Sequence, residues 1–100
     1  MLAHETDGIH VLVIGRVQGV GFRYFVLKRA EATGVTGWVR NLRDGSVEAV
    51  LIGAPDAVQA MLDAIGRGPG GAHVDEVITR PALAAEIRAA RTPFEVRRTE

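Results

Sequence analysis

Hydrophobic positions along the chain follow two different periods, and the switches between them divide it into elements. From Ile9 to Arg16 the apolar residues run together, with Val11, Leu12, Val13 and Ile14 consecutive. A short, β-branched run of this kind suits a buried central strand. From Phe22 the spacing becomes helical. Phe22, Phe25, Val26 and Ala30 fall at i, i+3, i+4 and i+8 and share one face. Gly34 follows as a C-terminal stop. Val35 to Leu42 and Val47 to Ile52 read as a second and a third strand, joined across Arg43-Asp44-Gly45-Ser46. The Asp-Gly pair there favours a tight hairpin. Pro55 suits the first turn of a second helix, and Asp56 suits its positive end. Val58, Met61, Leu62 and Ile65 give that helix an apolar face, Gly66 ends it, and Gly66 to Ala72 reads as a flexible loop. His73 to Thr79 predicts a fourth strand and Phe94 to Arg98 a short last one. Between Arg80 and Pro93, Leu83, Ala84 and Ile87 keep helical spacing inside a stretch bracketed by prolines. That segment fits a helix or a connecting loop with one helical turn.

The order is β-α-β-β-α-β plus a final strand. It predicts an α+β fold, the ferredoxin-like split βαβ sandwich, with one antiparallel sheet and two helices on one of its faces. The other face is expected to be more open to solvent. Residues 1–8 read as a flexible N-terminal tail and residues 9–98 as one domain.

Composition narrows the functional classes. The chain has 100 residues, 47% hydrophobic and 24% charged, as one ordinary globular domain would. It has no cysteine, which removes disulfides, thiolate catalysis and cysteine-based zinc sites. His4, His10 and His73 lie too far apart in sequence to form a metal motif. Ser46 is the only serine and sits in a hairpin turn, so a serine triad is not expected. No apolar run approaches the roughly 18 residues of a membrane span, and no leader pattern precedes Ile9. A cytoplasmic monomer without membrane attachment is the expectation. The formal net charge is zero, but it is unevenly spread. Between Gly8 and Arg43 six basic residues face one acid, Glu31; between Asp44 and Thr79 six acids face one base, Arg67. The positive excess would steer an anion toward the first half.

That half contains the segment with the most chemistry. Gly15-Arg16-Val17-Gln18-Gly19-Val20-Gly21 lies between a buried strand and a helix. The first N–H groups of a helix lack internal partners, and the helix end carries an effective charge of about +0.5. Glycines let neighbouring N–H groups converge into a nest that binds phosphate oxygens. Arg23, in the first helical turn, can turn a guanidinium back on the same anion in a bidentate fork. The known nucleotide loops do not fit. No Lys-Ser/Thr pair follows Gly19 or Gly21, and the third glycine of a dinucleotide fingerprint is replaced by Tyr24.

The stretch Gly15-Arg16-Val17-Gln18-Gly19-Val20-Gly21-Phe22-Arg23 resembles the acylphosphatase signature. Gly34-Val35-Thr36-Gly37-Trp38-Val39-Arg40-Asn41, followed by Asp44-Gly45-Ser46-Val47-Glu48, resembles the second signature of that family, and Phe94-Glu95-Val96-Arg97 its last strand. The resemblance implies a ferredoxin-like enzyme with no metal and no organic cofactor. It implies that Arg16, Val17, Gln18, Gly19, Val20, Gly21 and Phe22 hold a phosphate through backbone amides. It implies further that Arg23 grips the phosphoryl group and that Asn41 positions the attacking water. One departure is at the C-terminus: family members often stop at an aromatic residue, whereas here the chain runs on as Arg98-Thr99-Glu100.

The activity so implied is hydrolysis of a carboxyl–phosphate anhydride in a small acyl phosphate. Acetyl phosphate, carbamoyl phosphate, 1,3-bisphosphoglycerate and protein aspartyl phosphates all present that group. Two other readings share the fold. A nucleic-acid module is disfavoured by neutral charge and by strands that offer only Trp38 and Phe94 for stacking. The other is a domain of a larger carbamoyl-transfer assembly.

Overall fold

In the computed structural model, which describes residues 8–90 and 93–100, the chain forms a five-stranded sheet with three helices. The elements are β1 (Gly8–Arg16), α1 (Phe22–Thr33), β2 (Thr36–Asn41), β3 (Val47–Ile52), α2 (Pro55–Arg67), β4 (His73–Pro81), α3 (Ala84–Ala89) and β5 (Glu95–Val96). The strand order is β4-β1-β3-β2-β5. β1, the strand predicted to be central, pairs antiparallel with β3, and β3 stands in the middle of the sheet, with Val11 opposite Ala49.

Alternation along the strands explains the layers. Val11 and Val13 of β1, Val39 of β2, and Val47, Ala49 and Leu51 of β3 point to one face and are buried. Phe22, Val26 and Ala30 of α1 and Val58, Met61 and Ile65 of α2 close over them as one core. The helical face predicted by spacing is thus the one that packs. Burying a side chain such as Phe22 or Met61 contributes about 1.5–3 kcal/mol.

The structure departs from the sequence reading in four places. The sheet is not wholly antiparallel: β5 lies parallel to β2, with Trp38 opposite Glu95. A strand that returns from the far end of the chain can take either direction, and nothing local in two residues fixes it. Helix α2 passes through Gly66 to Arg67, and the Gly68 N–H closes it on the Ala64 oxygen. An exposed Gly66 weakens a helix but does not end it. Gly8, read as tail, is the first residue of β1 and is buried; residues 1–7 of the expected tail lie outside the described residues. The second sheet face is also better covered than expected. His10, Trp38 and Val50 alternate onto it and are nearly inaccessible. Helix α3 crosses it, since a side chain at Gly8 would meet Ile87. The guanidiniums of Arg40 and Arg97 lie 4.8 and 4.5 Å from the Trp38 ring centre. The ambiguous segment after Arg80 therefore supplies a short helix, with the Leu83 N–H bonded to the Glu86 carboxylate at 2.7 Å.

Candidate active site

Strand β1 ends at Arg16 and α1 begins at Phe22, so the glycine loop bridges the sheet edge and the first helix. Gly19 and Gly21 take φ of 75° and 78°, a left-handed backbone that residues with a Cβ resist. A Cβ at either would meet nothing within 4 Å, so it is the dihedral and not crowding that calls for glycine. Gly21 is the N-cap of α1 and has no side chain to satisfy the first turn, and that turn holds no acidic residue. Among the described residues, no main-chain hydrogen bond is donated by the N–H groups from Gln18 to Tyr24. The first repeating helical bond comes from Phe25 to Gly21, at 3.0 Å. A run of unpaired donors at a helix start is an anion-attracting surface.

A cleft of about 460 Å³ opens at this loop. Of the residues picked from sequence, Val17, Gln18, Gly19, Gly21, Phe22, Arg23 and Asn41 line it. Arg16 and Val20 do not: Arg16 is exposed and Val20 packs against the core. Val17 and Phe22 are buried, so their side chains anchor the loop from below. Arg23 comes from the first turn of α1 and Asn41 from the last position of β2, and the fold brings these distant residues to the same cleft.

Three sets of contacts hold this arrangement that the sequence did not announce. The Arg23 Nη1 donates to the Arg97 main-chain oxygen at 3.0 Å. The Gln18 Nε2 donates to the Leu42 and Ser46 oxygens, at 2.7 and 2.8 Å, tying the loop to the turn after Asn41. The C-terminal extension continues beside β2: the Glu100 N–H donates to the Asn41 oxygen at 3.0 Å and the Arg43 N–H to the Glu100 oxygen at 3.1 Å. The Asn41 side-chain amide makes no hydrogen bond among the described residues, which leaves it available to a ligand. Carbonyl acceptors carry no residue-type signal, so only the Gln18 amide could have been suspected from sequence.

Away from the cleft several polar side chains pair with one another, whereas the buried Trp38 Nε1 has no hydrogen-bond partner among the described residues. On the second sheet face Glu48 bonds His10 at 2.7 Å and Arg40 at 2.8 Å. Burial opposes ionisation of Glu48, but those two hydrogen bonds outweigh it and hold its carboxyl below the usual range. Among the described residues no group of three His, Asp or Glu is placed to hold a metal ion, and no helix is long and apolar enough to cross a membrane.

An α+β sandwich with a glycine loop opening its first helix sets the structural class. The family comparison then narrows it: a profile described as Acylphosphatase matches residues 9–95. An acylphosphatase from Nitrobacter hamburgensis is 53% identical over 74 residues, covering 74% of this chain and 75% of that one. The structure of an acylphosphatase from Coxiella burnetii superposes with a TM-score of 0.83 at 36% identity, over 97% of this chain and 100% of that one. Full-length HypF in its phosphate- and nucleotide-bound form matches with a TM-score of 0.80 at 25% identity, over 94% of this chain but only 12% of that one. The chain belongs to the acylphosphatase family.

Proposed function

We propose that this enzyme, an acyl-phosphate hydrolase, carries out its reaction in the cleft between the glycine loop and the end of β2, without metal and with water as nucleophile. The observation that carries this reading is the run of unpaired N–H groups from Gln18 to Tyr24, whose residues other than Val20 line the cleft that also receives Asn41.

The chemistry asks for little more. An acyl phosphate leaves as a carboxylate, the weak base of an acid with a pKa near about 4, so no general acid has to protonate it. What remains is to place a water and to stabilise charge on the phosphoryl oxygens. The loop N–H groups and the Arg23 guanidinium take that second task. Arginine has five donors, and one of them is held by the Arg97 oxygen. The rest remain for the substrate. The Asn41 amide oxygen accepts a hydrogen bond from the attacking water. Water attacks phosphorus as the bond to the acyl oxygen breaks, and the water proton passes to a phosphoryl oxygen. Among the described residues no carboxylate or imidazole lines the cleft to take it, and the same lining offers no acidic or imidazole ligand to a metal.

The same reading places the enzyme in the cytoplasm as a monomer that acts on small acyl phosphates and not on nucleic acid. A net charge of zero supports the last point. The deciding experiment is phosphate release from benzoyl phosphate in the presence of EDTA. Wild type should turn over, Arg23→Ala should lose both binding and turnover, and Asn41→Ala should lose mainly kcat, by about 3–4 kcal/mol for one oriented group. Near-normal activity of Arg23→Ala would overturn the site, and turnover abolished by EDTA would overturn the metal-free scheme.

A further inference from the structure

A second cavity, of about 290 Å³, shares Val96 with the cleft and is otherwise lined by Arg40, Glu95, Arg97, Arg98 and Glu100. Three arginines thus meet two glutamates in a small space. Two of the guanidiniums are fixed in advance, since those of Arg40 and Arg97 both lie against the Trp38 ring. Arg40 is held further by Glu48 through its Nε, and Arg97 by Glu95 and the Ala89 oxygen through its Nε and Nη2. Each keeps Nη donors with no hydrogen-bond partner among the described residues. The exposed Arg98 side chain has no hydrogen bond or ion pair among them. The acids are less firmly placed. Glu95 is taken up by Arg97, and the Glu100 side chain, 69% exposed, comes no closer than 4.0 Å to Arg40 Nη1.

From this arrangement we infer that Arg40, Arg97 and Arg98 form a second oxyanion site, for a tetrahedral dianion such as inorganic phosphate or sulfate, and that the Glu100 carboxylate is its resident competitor. Arginine forks match such an ion in geometry as well as charge. Stacking on Trp38 has already ordered two of the forks, so the ion loses little affinity to side-chain immobilisation. The site reaches the catalytic pair through main-chain atoms: the Arg97 oxygen holds Arg23, and the Glu100 N–H holds the Asn41 oxygen. An ion and the Glu100 carboxylate cannot share Arg40, so the ion binds the state in which Glu100 has swung out and its tether to Asn41 is strained. A ligand shifts only an equilibrium whose two states it binds unequally, and Glu100 in or out is that equilibrium here. Filling the site therefore lowers turnover, which makes the enzyme respond to phosphate, its own product. This link, unlike the binding, rests on the active-site assignment made above.

The test titrates sulfate at constant ionic strength and reads tryptophan fluorescence in wild type, Arg98→Ala, Arg98→Lys, Glu100→Gln and Arg23→Ala. Trp38 is the only tryptophan and does not line the cleft, so its emission reports the second cavity. Arg98 and Glu100 are exposed, so replacing them leaves the core untouched. Wild type should give a saturable change. Arg98→Ala should weaken sulfate binding by about tenfold, the loss of one charge-assisted contact. Arg98→Lys keeps the charge but not the fork and should weaken it by about threefold or more. Glu100→Gln removes the competitor and should tighten it by about threefold. Arg23→Ala should titrate as wild type does. At saturating benzoyl phosphate, where sulfate is displaced from the cleft, wild-type kcat should fall by about fivefold as the fluorescence change saturates. The absence of a saturable change, wild-type affinity in Arg98→Lys, or a signal lost in Arg23→Ala and kept in Arg98→Ala overturns the second site. A saturable change with kcat unmoved overturns its link to the catalytic pair. Full activity of Arg23→Ala overturns the active-site assignment and leaves the binding result standing.

Discussion

The Arg23 guanidinium is fastened to the main-chain oxygen of Arg97, 3.0 Å away and 74 positions further along the chain. The contact joins the first turn of α1 to the residue after β5. In the proposed site it would orient the fork before any ligand arrives, so that cost would be met during folding and not during catalysis.

A lysine at position 23 keeps the charge but loses the planar fork, and it cannot hold the Arg97 oxygen and grip a phosphoryl group in the same geometry. Arg23→Lys should therefore lower kcat/KM on benzoyl phosphate by about 10²–10³-fold. Urea denaturation should find its stability close to wild type, because Arg23 lies at the surface of the cleft and not in the core. Activity within about threefold of wild type would mean that charge alone suffices, contrary to the bidentate role.

The Gln18 side chain is a strut. Its amide nitrogen reaches both the Leu42 and Ser46 oxygens and so fixes the loop against the turn that follows Asn41. Gln18→Ala should destabilise the fold by about 1–3 kcal/mol, since two partly buried acceptors lose their donor. It should also weaken inorganic phosphate as a competitive inhibitor, because the loop is less ordered. Gln18→Glu should be worse on both counts, as it sets a carboxylate against two carbonyl oxygens. Chemical denaturation together with phosphate inhibition separates the two effects.

These struts mark where the sequence stopped being informative. The strands and helices were legible because their apolar residues must share one face, as Val11 and Val13 do with Phe22 and Val26. The glycines marked a strand-to-helix turn, which a plain tight turn explains as well as an anion loop, and Arg23 and Asn41 stood out only through the family resemblance of the long motifs that hold them. Arg97 was not, since what it offers is a carbonyl that every residue owns. The parallel direction of β5 and the cover over Trp38 depend on where distant segments return, which no local period encodes.

Gly21 separates activity from stability. It caps α1 in a left-handed conformation, with open space where a Cβ would stand. Asn and Asp tolerate that conformation better than other residues. Gly21→Asn and Gly21→Asp should both fold, each losing about 1–2 kcal/mol at most. Only the aspartate places a negative charge among the N–H groups proposed to hold the anion. Gly21→Asp should lose activity by about 10²-fold or more, and Gly21→Asn far less. Equal activity in the two variants would show that the loop amides do not hold the phosphoryl group.

The acid limit of stability should come from carboxylates away from the cleft. Hydrogen bonds from Arg80, at 3.0 and 2.8 Å, act against some desolvation and, with the Leu83 N–H, hold the Glu86 carboxyl down at about 2. Its ordinary value is 4.5. Glu48 is depressed in the same direction, its burial outweighed by the bonds from His10 and Arg40. A carboxyl depressed in the folded state binds fewer protons there than in the unfolded chain, so its contribution is complete above the unfolded value and is lost as pH falls through the folded one. For Glu86 that window runs from 4.5 down to about 2. Glu86→Gln and Glu48→Gln should therefore be less stable than wild type at pH 7, with the gap narrowing as the acid range is entered. Urea midpoints at about pH 7 and about pH 5, both above that window, and at about pH 3, inside it, give the comparison. A gap that stays constant across those pH values would show that neither carboxylate contributes through its charge.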